Sequence, residues 1–228
     1  MPFGPHDAAT DAIDRARAML VGSRTTARVL LEVSDGRRRY RPERLPPDVR
    51  SDMRRLSVVM AVAALDTYMH RLILSNVYTH NELPGGLANL DVPFVDLLDQ
   101  ADKAGVAARR NPHPSRPRVA VKRQLRDRLL RETFQSYDSV SRALSMAGLS
   151  RKSRWSEIGE NMNPPIAPKE IKERLNAIVV RRNQIVHEGD YERLERPQKS
   201  TRNGMPLGEA HVHVEFIARL IDGIHAVI

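Results

Sequence analysis

The chain of 228 residues has no cysteine at all. A disulfide, a thiolate zinc site and a thiol nucleophile are therefore excluded, and the chain suits a reducing compartment. Aromatic side chains account for only 4% of the residues, so the core has to consist of aliphatic side chains and alanine, as is typical of helical proteins. No GxxxxGK stretch occurs, which argues against nucleotide hydrolysis at a phosphate-binding loop.

Signals for export and for membrane insertion are scarce as well. The N-terminal stretch MPFGPHDAATDAIDRA lacks the basic region and the apolar run of a signal peptide. No uncharged apolar run approaches the roughly 18 residues that a membrane-spanning helix needs. We therefore expect a cytoplasmic protein that has no membrane partner.

Positive charge is what the chain has in excess. Lysine and arginine number 37 against 28 acidic residues, which gives a formal net charge of +9, and most of the cations are arginines. Arginine pairs bidentately with phosphate, so nucleic acid is the natural class of partner. Charge alone identifies no ligand, and an acidic protein partner or a G+C-rich coding bias would produce the same composition.

Apolar spacing along the chain predicts helices and almost nothing else. The predicted helices cover residues 7–33, 47–79, 94–105 and 117–147, a stretch that starts near Pro168, and residues 207–228. Turn formers and charges predict loops at residues 34–47 and 107–118, a connector at residues 151–168 and a polar loop after Asp190. We find no strand-like alternation and no internal repeat. We expect an all-α fold, an antiparallel bundle of about five to seven helices.

Most of the chain is expected to form one domain. With 228 residues the chain is long enough for one large core and slightly long for an average domain. We assign residues 1–46 to an N-terminal helix and a basic loop that are appended to the bundle. Residues 47–228 then form the helical domain itself.

The stretch VVRRNQIVHEGDYER, residues 179–193, stands out within one predicted helix. On a helical projection Arg182 lies in the middle of an apolar arc, where a guanidinium is costly unless a partner neutralises it. The arc consists of Ile171, Leu175, Ile178, Val179, Ile185 and Val186. Asn183 and His187 are four residues apart and share the adjoining face. Gly189 is placed to cap the helix, which puts His187 in its last turn.

These residue types suit the cleavage of RNA without a metal ion. The reaction needs a base for the 2′-OH proton, an acid for the leaving 5′-oxygen and a cation for the phosphorane oxygens. Histidine titrates near neutrality and serves as base or acid, and arginine offers a planar donor fork for phosphate. Because one histidine cannot be base and acid at the same moment, the site predicts a symmetric dimer that brings two copies together.

Arginine and histidine at this spacing are not specific by themselves, because a chain so rich in arginine contains such pairs by chance. Arg219 and His225 form a second match, which lacks the following asparagine and the glycine cap, and we interpret it as accidental. A metal site at His211, His213 and Glu215 is not expected either, since residues two apart on a helix point to different sides.

The pattern R-N-x-x-x-H from Arg182 to His187, followed by a polar loop and a terminal amphipathic helix, resembles the HEPN superfamily of helical ribonucleases. The stretch ALDTYMHRLI, residues 64–73, is similar to an early core helix of that superfamily, in which an acidic residue interrupts an apolar run. The resemblance is to the free-standing RiboL-PSP-type group in particular, and it covers residues 47–228.

The resemblance implies roles for individual residues. Arg182 and His187 would be the catalytic pair, lining a cleft at a homodimer interface, and Asn183 would orient groups beside them. No metal and no other cofactor is implied. Asp66 would support the site by holding Arg182, and Tyr191 is the tyrosine nearest to the histidine.

Other basic residues are candidates for contact with the RNA backbone. Arg181 lies at the edge of the apolar arc and would make a solvated phosphate contact. The basic, proline-rich loop contributes further candidates, namely Arg109, Arg110, Arg116 and Arg118.

Three hypotheses about function follow. The first is a metal-independent endoribonuclease with its active site at a homodimer interface, acting as a toxin or in anti-phage defence and leaving 2′,3′-cyclic phosphate and 5′-hydroxyl ends. An antitoxin or another defence-system protein would then be a partner. The alternative is a non-catalytic helical module that binds RNA or an acidic protein. The third is a scaffold subunit in which the motif helix only forms the dimer.

Overall fold

We describe the protein from a computed structural model, which covers residues 4–24, 26–32, 38–79, 106, 125–191 and 202–228. The helix predicted at residues 94–105 and the loop predicted at 107–118 lie outside these residues. The four loop arginines that were assigned to RNA contact, Arg109, Arg110, Arg116 and Arg118, therefore lie outside the described part of the chain.

Helices dominate the described residues, which confirms the all-α fold class. In chain order the elements are α1 (Pro5–Gly22), β1 (Thr26–Glu32), β2 (Arg38–Arg44), α2 (Pro47–Thr79), α3 (Tyr137–Met146), α4 (Arg154–Asn161), α5 (Pro168–Glu188) and α6 (Leu207–His225). Residues 125–129 form one further helical turn. α2 contacts α1, α3, α5 and α6, so it is the central element of the bundle.

The buried face of α2 explains its central position. Its most apolar segment contributes Val62, Leu65, Tyr68, Met69 and Ile73 to the core, all of them fully buried. α2 is also long and apolar enough to cross a membrane by length and composition alone, although just over half of that segment is buried inside the protein. Burial against other helices removes this apolar surface from water, which stabilises the bundle by the hydrophobic effect.

The N-terminal helix α1 packs into the same core. Ala9, Ile13, Ala16 and Leu20 are buried at the three- and four-residue spacing of one helical face. α1 runs antiparallel to α6, because His6 near its start meets Asp222 at 3.0 Å while Arg17 near its end meets Glu215. The division of the chain at residue 46 stays a prediction.

Among the described helices, α2 and α6 are neighbours that run parallel. Arg54 near the start of α2 donates to the carbonyl oxygen of Met205, just before α6, at 3.2 Å. Further along both helices, the Tyr68 hydroxyl lies 3.4 Å from Nδ1 of His225. Helices that follow one another through short loops become antiparallel, whereas α2 and α6 are far apart in the chain and are free to run in the same direction.

The prediction of one long helix over residues 7–33 is wrong. α1 ends at Gly22, and residues 26–32 form β1, which pairs antiparallel with β2 in a two-stranded sheet. The loop predicted at residues 34–47 is therefore also wrong over Arg38–Arg44, which form β2. Thr26 and Val29 are β-branched residue types, which are enriched in strands. A seven-residue strand with little alternation was indistinguishable from the end of a helix in the sequence.

Residues 117–147 were also predicted as one helix, and this is wrong over the described part. The helical turn at 125–129 is followed by a non-helical segment at 130–136 before α3 begins. Ser136 starts α3 as its N-cap, since its Oγ accepts a hydrogen bond from the backbone N–H of Ser139. The predicted connector at 151–168 contains α4, which the sequence analysis missed.

Candidate functional site

The motif lies on α5, as predicted. Ile171, Leu175 and Ile178 on this helix are buried in the core. Near its end the apolar arc opens to solvent, because Val186 is 46% exposed instead of buried. Gly189 ends the helix in the left-handed conformation with φ 62°, which confirms the predicted glycine cap and places His187 in the last turn.

The Arg182 guanidinium is only partly hydrogen-bonded by the described residues. It is half-buried, and its Nη1 donates to Oδ1 of Asn183 at 2.9 Å. Its Nε is buried from solvent and has no hydrogen-bond partner among the described residues, a feature that it shares with Nε of Arg50, Arg54 and Arg128. A buried donor without an acceptor costs about 1–3 kcal/mol, so an oxygen bound at this position would relieve a penalty that the free protein carries.

Asp66 does not hold Arg182, contrary to the role that the resemblance implied. Its Oδ1 accepts a hydrogen bond from the backbone N–H of Phe134 at 2.6 Å. Within the described residues no ion pair joins Asp66 to Arg182. Asp66 therefore supports the site indirectly, because it fixes the segment around Phe134 against α2.

That segment and the start of α3 form the wall opposite the motif. Together the two walls enclose a cleft of about 620 Å³. The cleft is lined by Val179, Arg182, Asn183 and His187 from α5 and by Thr133, Gln135, Ser136, Ser139 and Arg142 from the other side. Oδ1 of Asn176 on α5 accepts from the backbone N–H of Tyr137 at 3.2 Å, which ties α3 to α5 beside the cleft.

No sequence signal pointed to the residues of the second wall. Serine, threonine and glutamine are common on surfaces, and Arg142 belongs to a chain that is rich in arginine throughout. The one local signal was the reciprocal capping of Ser136 and Ser139, which marks a helix start and no ligand.

The chemical character of the cleft is cationic. Its described lining contains two arginines, one histidine, four neutral polar side chains apart from Asn183, and one valine, but neither aspartate nor glutamate. A concave site of one charge sign concentrates ligands of the opposite sign. The cleft can therefore bind an anion and offer it guanidinium and imidazole donors.

His187 is exposed at the edge of this cleft. Among the residues that the structure describes, none forms a hydrogen bond or an ion pair with its imidazole. The described residues therefore leave both ring nitrogens accessible to a ligand, and none of them selects one tautomer.

Arg181, the neighbour of Arg182, is not a solvated phosphate contact. It forms an ion pair with Oδ1 of Asp190, and its Nη2 donates to the carbonyl oxygen of Gly204 at 2.8 Å. Its Nε also lies 3.4 Å from Glu209. All three nitrogens of this guanidinium are therefore committed to the protein itself.

Asp190 is the centre of what we call the Asp190 cluster, formed by Arg55, Arg181, Asp190 and Asn203. The Asp190 side chain is 0% exposed, and its Oδ2 accepts from Nε of Arg55 at 2.5 Å. Its carbonyl oxygen accepts from the backbone N–H of Asn203 at 2.7 Å. Burial raises the pKa of this carboxyl, but the hydrogen bonds from Arg55 and Arg181 outweigh burial and leave the pKa below its usual range.

The cluster fixes the end of α5 and thereby the backbone that carries His187. Asp190 directly follows the glycine cap and itself has a positive φ of 64°, a conformation that aspartate tolerates better than most residues. No sequence signal pointed to Arg55 or Asn203, because they lie 135 and 13 residues away from Asp190.

Tyr191 is exposed and does not line the cleft. Its backbone pairs with Arg202 in an isolated bridge. A Cβ added to Gly189 would come within 3.1 Å of the Tyr191 ring, so the ring lies directly against the helix cap.

Arg219 and His225, the second arginine–histidine match in the sequence, contact other parts of the protein. Nη1 of Arg219 donates to the carbonyl oxygen of Asn163 at 3.2 Å. His225 stacks on the ring of His6 with centroids 4.3 Å apart, and burial lowers its pKa. Of the residues weighed for a metal site, Glu215 is paired with Arg17, and no group of three possible metal ligands occurs among the described residues.

Comparison with known proteins agrees with this geometry at the level of the family. No curated protein and no solved structure matches the chain. The model of the RiboL-PSP-HEPN family matches residues 31–224, which is most of the chain. HEPN domains are all-α and commonly act as ribonucleases, so the match supports a ribonuclease or RNA-related role. The chain belongs to the RiboL-PSP-HEPN family.

Proposed function

We propose that this protein is a metal-independent endoribonuclease whose active centre is the cleft between α5 and α3. The observation that carries the proposal is the Arg182 guanidinium, which has a buried Nε without a partner in a cleft that holds His187 and has no carboxylate in its described lining. The donors available in this cleft match the oxygens of a phosphodiester.

In the proposed reaction a histidine removes the proton of the 2′-OH, and the 2′-oxygen attacks the adjacent phosphorus. Arg182 stabilises the negative charge that develops on the phosphorane oxygens. The bond from phosphorus to the 5′-oxygen then breaks, and the leaving oxygen takes a proton from a second acid. The products carry a 2′,3′-cyclic phosphate and a 5′-hydroxyl.

A homodimer is part of the proposal, because each chain contributes one His187 and the reaction needs a base and an acid. The surface around the motif helix offers apolar area for such a contact. Val180 and Val186 on α5 are exposed, and Val186 is adjacent to His187 in the chain. A two-fold axis near this end of α5 would bring the two histidines to one cleft.

The biological setting we propose is that of a toxin or an anti-phage effector in the cytoplasm. A basic protein that cleaves RNA would damage its own cell unless a partner restrained it, so an antitoxin or another defence-system protein belongs to this proposal. The net charge of +9 favours an acidic partner.

One observation favours the alternative, a module that binds RNA or an acidic protein without cleaving it. The His187 imidazole has no orienting hydrogen bond within the described residues, whereas a general base is normally held in one tautomer. Binding through the basic surface would then depend on salt and would survive the loss of both Arg182 and His187.

The deciding experiment is RNA cleavage by the purified protein in the presence of EDTA, with His187→Ala as the variant. We expect the wild type to cleave and the variant to lose about 10²–10⁴-fold in rate, the typical contribution of a general acid or base. His211→Ala is a matched control, because His211 is an exposed histidine outside the cleft.

The products and the substrate backbone provide the second test. Wild-type protein should yield cyclic phosphate ends and should leave a DNA oligonucleotide of the same sequence intact, since DNA lacks the attacking 2′-OH. Full cleavage by His187→Ala, or cleavage of the DNA, would refute the proposed mechanism.

A further inference from the structure

We propose that Arg142 is a second phosphate-binding residue of the cleft, which binds the phosphate next to the scissile one. This inference rests on the proposed function for the identity of its ligand. It assigns to α3 a role in binding substrate, and it predicts that the cleft accepts an unpaired RNA strand.

The position of Arg142 is the first argument. Arg142 lines the cleft from the wall opposite Arg182 and follows Ser139 by one helical turn on the same side of α3. The helix is held in place by the bond from Tyr137 to Asn176 on α5. A cation on each wall thus faces the same space.

The second argument is that the Arg142 side chain is held only weakly by the described residues. The Arg142 side chain is 55% exposed, and its ion pair among the described residues is a contact of 3.4 Å from Nη2 to Glu132. An exposed pair of this length contributes little to stability. Arg142 can therefore exchange Glu132 for a phosphate oxygen at small cost, whereas Arg181 on α5 is held by two carboxylates.

The substrate class follows from two cations that face one another across a concave site. Consecutive phosphates of a single strand can enter such a cleft, and positively charged grooves of this kind follow the backbone of single-stranded nucleic acid. Duplex RNA displays its 2′-hydroxyls too, but its backbone is held in the A-form helix, whereas an unpaired strand can bend to fit the cleft. We therefore expect discrimination against duplex RNA.

The test is binding of a short fluorescein-labelled oligouridylate, measured by fluorescence anisotropy on the His187→Ala protein so that no cleavage occurs. We expect Arg142→Ala in this background to weaken binding about tenfold or more, as the loss of one charge-assisted hydrogen bond does. The slope of log affinity against log salt should fall by about 0.7, the value for one phosphate contact in single-stranded nucleic acid.

Two controls separate phosphate binding from a structural role. Glu132→Gln removes the same ion pair as Arg142→Ala, so it would copy the defect if the pair merely held the fold, and we expect it to bind no more weakly than the parent protein. Arg174→Ala removes an exposed arginine of α5 that is paired with Glu170 outside the cleft, and we expect no change.

The outcomes distinguish this inference from the proposed function. If the wild type does not cleave but Arg142→Ala weakens binding, the proposed function fails, and Arg142 remains a phosphate-binding residue without a scissile phosphate beside it. If the wild type cleaves while Arg142→Ala in the His187→Ala background binds as tightly as its parent, the assignment of Arg142 is wrong. A defect of Glu132→Gln equal to that of Arg142→Ala also overturns it, and so does equal affinity for a duplex.

Discussion

Arg181 and Arg182 are adjacent in the chain and differ in almost every property of their surroundings. Arg181 belongs to the Asp190 cluster, where a buried carboxylate, Glu209 and a carbonyl oxygen take up its donors. Arg182 faces the cleft, where its described neighbours include no acid and its Nε has no acceptor. All three guanidinium nitrogens of Arg181 are hydrogen-bonded within the protein, whereas Arg182 has a donor that lacks an acceptor among the described residues.

The surroundings of the two side chains help to distinguish structural arginines from ligand-binding ones in a chain with so many arginines. An arginine in a buried ion pair has a structural role, because its charge is already neutralised and removing either partner leaves an uncompensated charge. A buried donor without an acceptor does not by itself mark a ligand site, because Arg50, Arg54 and Arg128 share this feature with Arg182. Arg182 differs from them because it lines the cleft that also holds His187 and has no carboxylate in its described lining. Predictions that act on one region and spare the other test this distinction.

The largest expected effect is the loss of stability in Asp190→Ala. The substitution leaves Arg55 and Arg181 without their shared carboxylate in a buried site, and breaking such a pair typically costs about 3–5 kcal/mol. Urea denaturation measures the change in the free energy of unfolding. An unchanged unfolding midpoint would show that the cluster does not stabilise the end of α5.

The next effect is on catalysis and concerns Arg182→Ala. We expect RNA cleavage to fall about 10²–10³-fold, as when one stabilising donor of a transition state is removed. The free energy of unfolding should stay within about 1 kcal/mol of the wild type, because the side chain is ion-paired to nothing in the described part of the chain.

Arg181→Ala is the matched control for that variant. It removes the neighbouring arginine and with it the ion pairs to Asp190 and Glu209, so it should lower the unfolding midpoint more than Arg182→Ala does. If Arg181→Ala abolished cleavage while leaving stability intact, the roles of the two arginines would have to be exchanged.

The smallest effect is a pH dependence that resides in the Asp190 cluster. The pKa of Asp190 is lowered in the folded protein relative to its unfolded value of about 3.9, so the folded state binds fewer protons than the unfolded state between the two pKa values. The stabilisation that Asp190 contributes is fully present above the pKa that it has in the unfolded chain, and it is lost as the pH falls through the lower pKa that it has in the folded protein.

Asp190→Asn provides the comparison for this prediction. The pKa of Glu215 is lowered by its hydrogen bond from Arg17 and adds its own acid sensitivity, which both proteins share. Urea unfolding at neutral pH and at about pH 3 should therefore show a larger loss for the wild type than for Asp190→Asn. Equal losses would place the acid sensitivity outside the cluster.

Local sequence signals predicted several helix boundaries. Pro47 and Pro168 start α2 and α5, and Gly189 ends α5, because proline suits the first helical turn and glycine suits the left-handed cap. The strand at Thr26–Glu32 and the break before α3 were not predicted, since both depend on pairing with other segments.

One wall of the candidate site could likewise be predicted from the sequence, and the other could not. The motif wall with Arg182, Asn183 and His187 was predicted because its three residues lie on one helix and their relative placement follows from helical geometry. The wall with Thr133 and Arg142 could not be predicted, because a hydrogen bond between Asp66 and Phe134, 68 residues apart, brings that segment to α2.

By itself the sequence determined that the chain is helical, where its motif helix begins and ends, and that a histidine stands at the capped end of that helix. These properties depend on contacts within a few residues. Only the tertiary structure decided which of two adjacent arginines is ion-paired and which faces the cleft, because Asp190 and Glu209 reach Arg181 from elements that follow α5. The projection of α5 alone places Arg181 at the edge of the apolar arc and predicts a solvated phosphate contact, since a helical wheel does not show the partners that folding supplies.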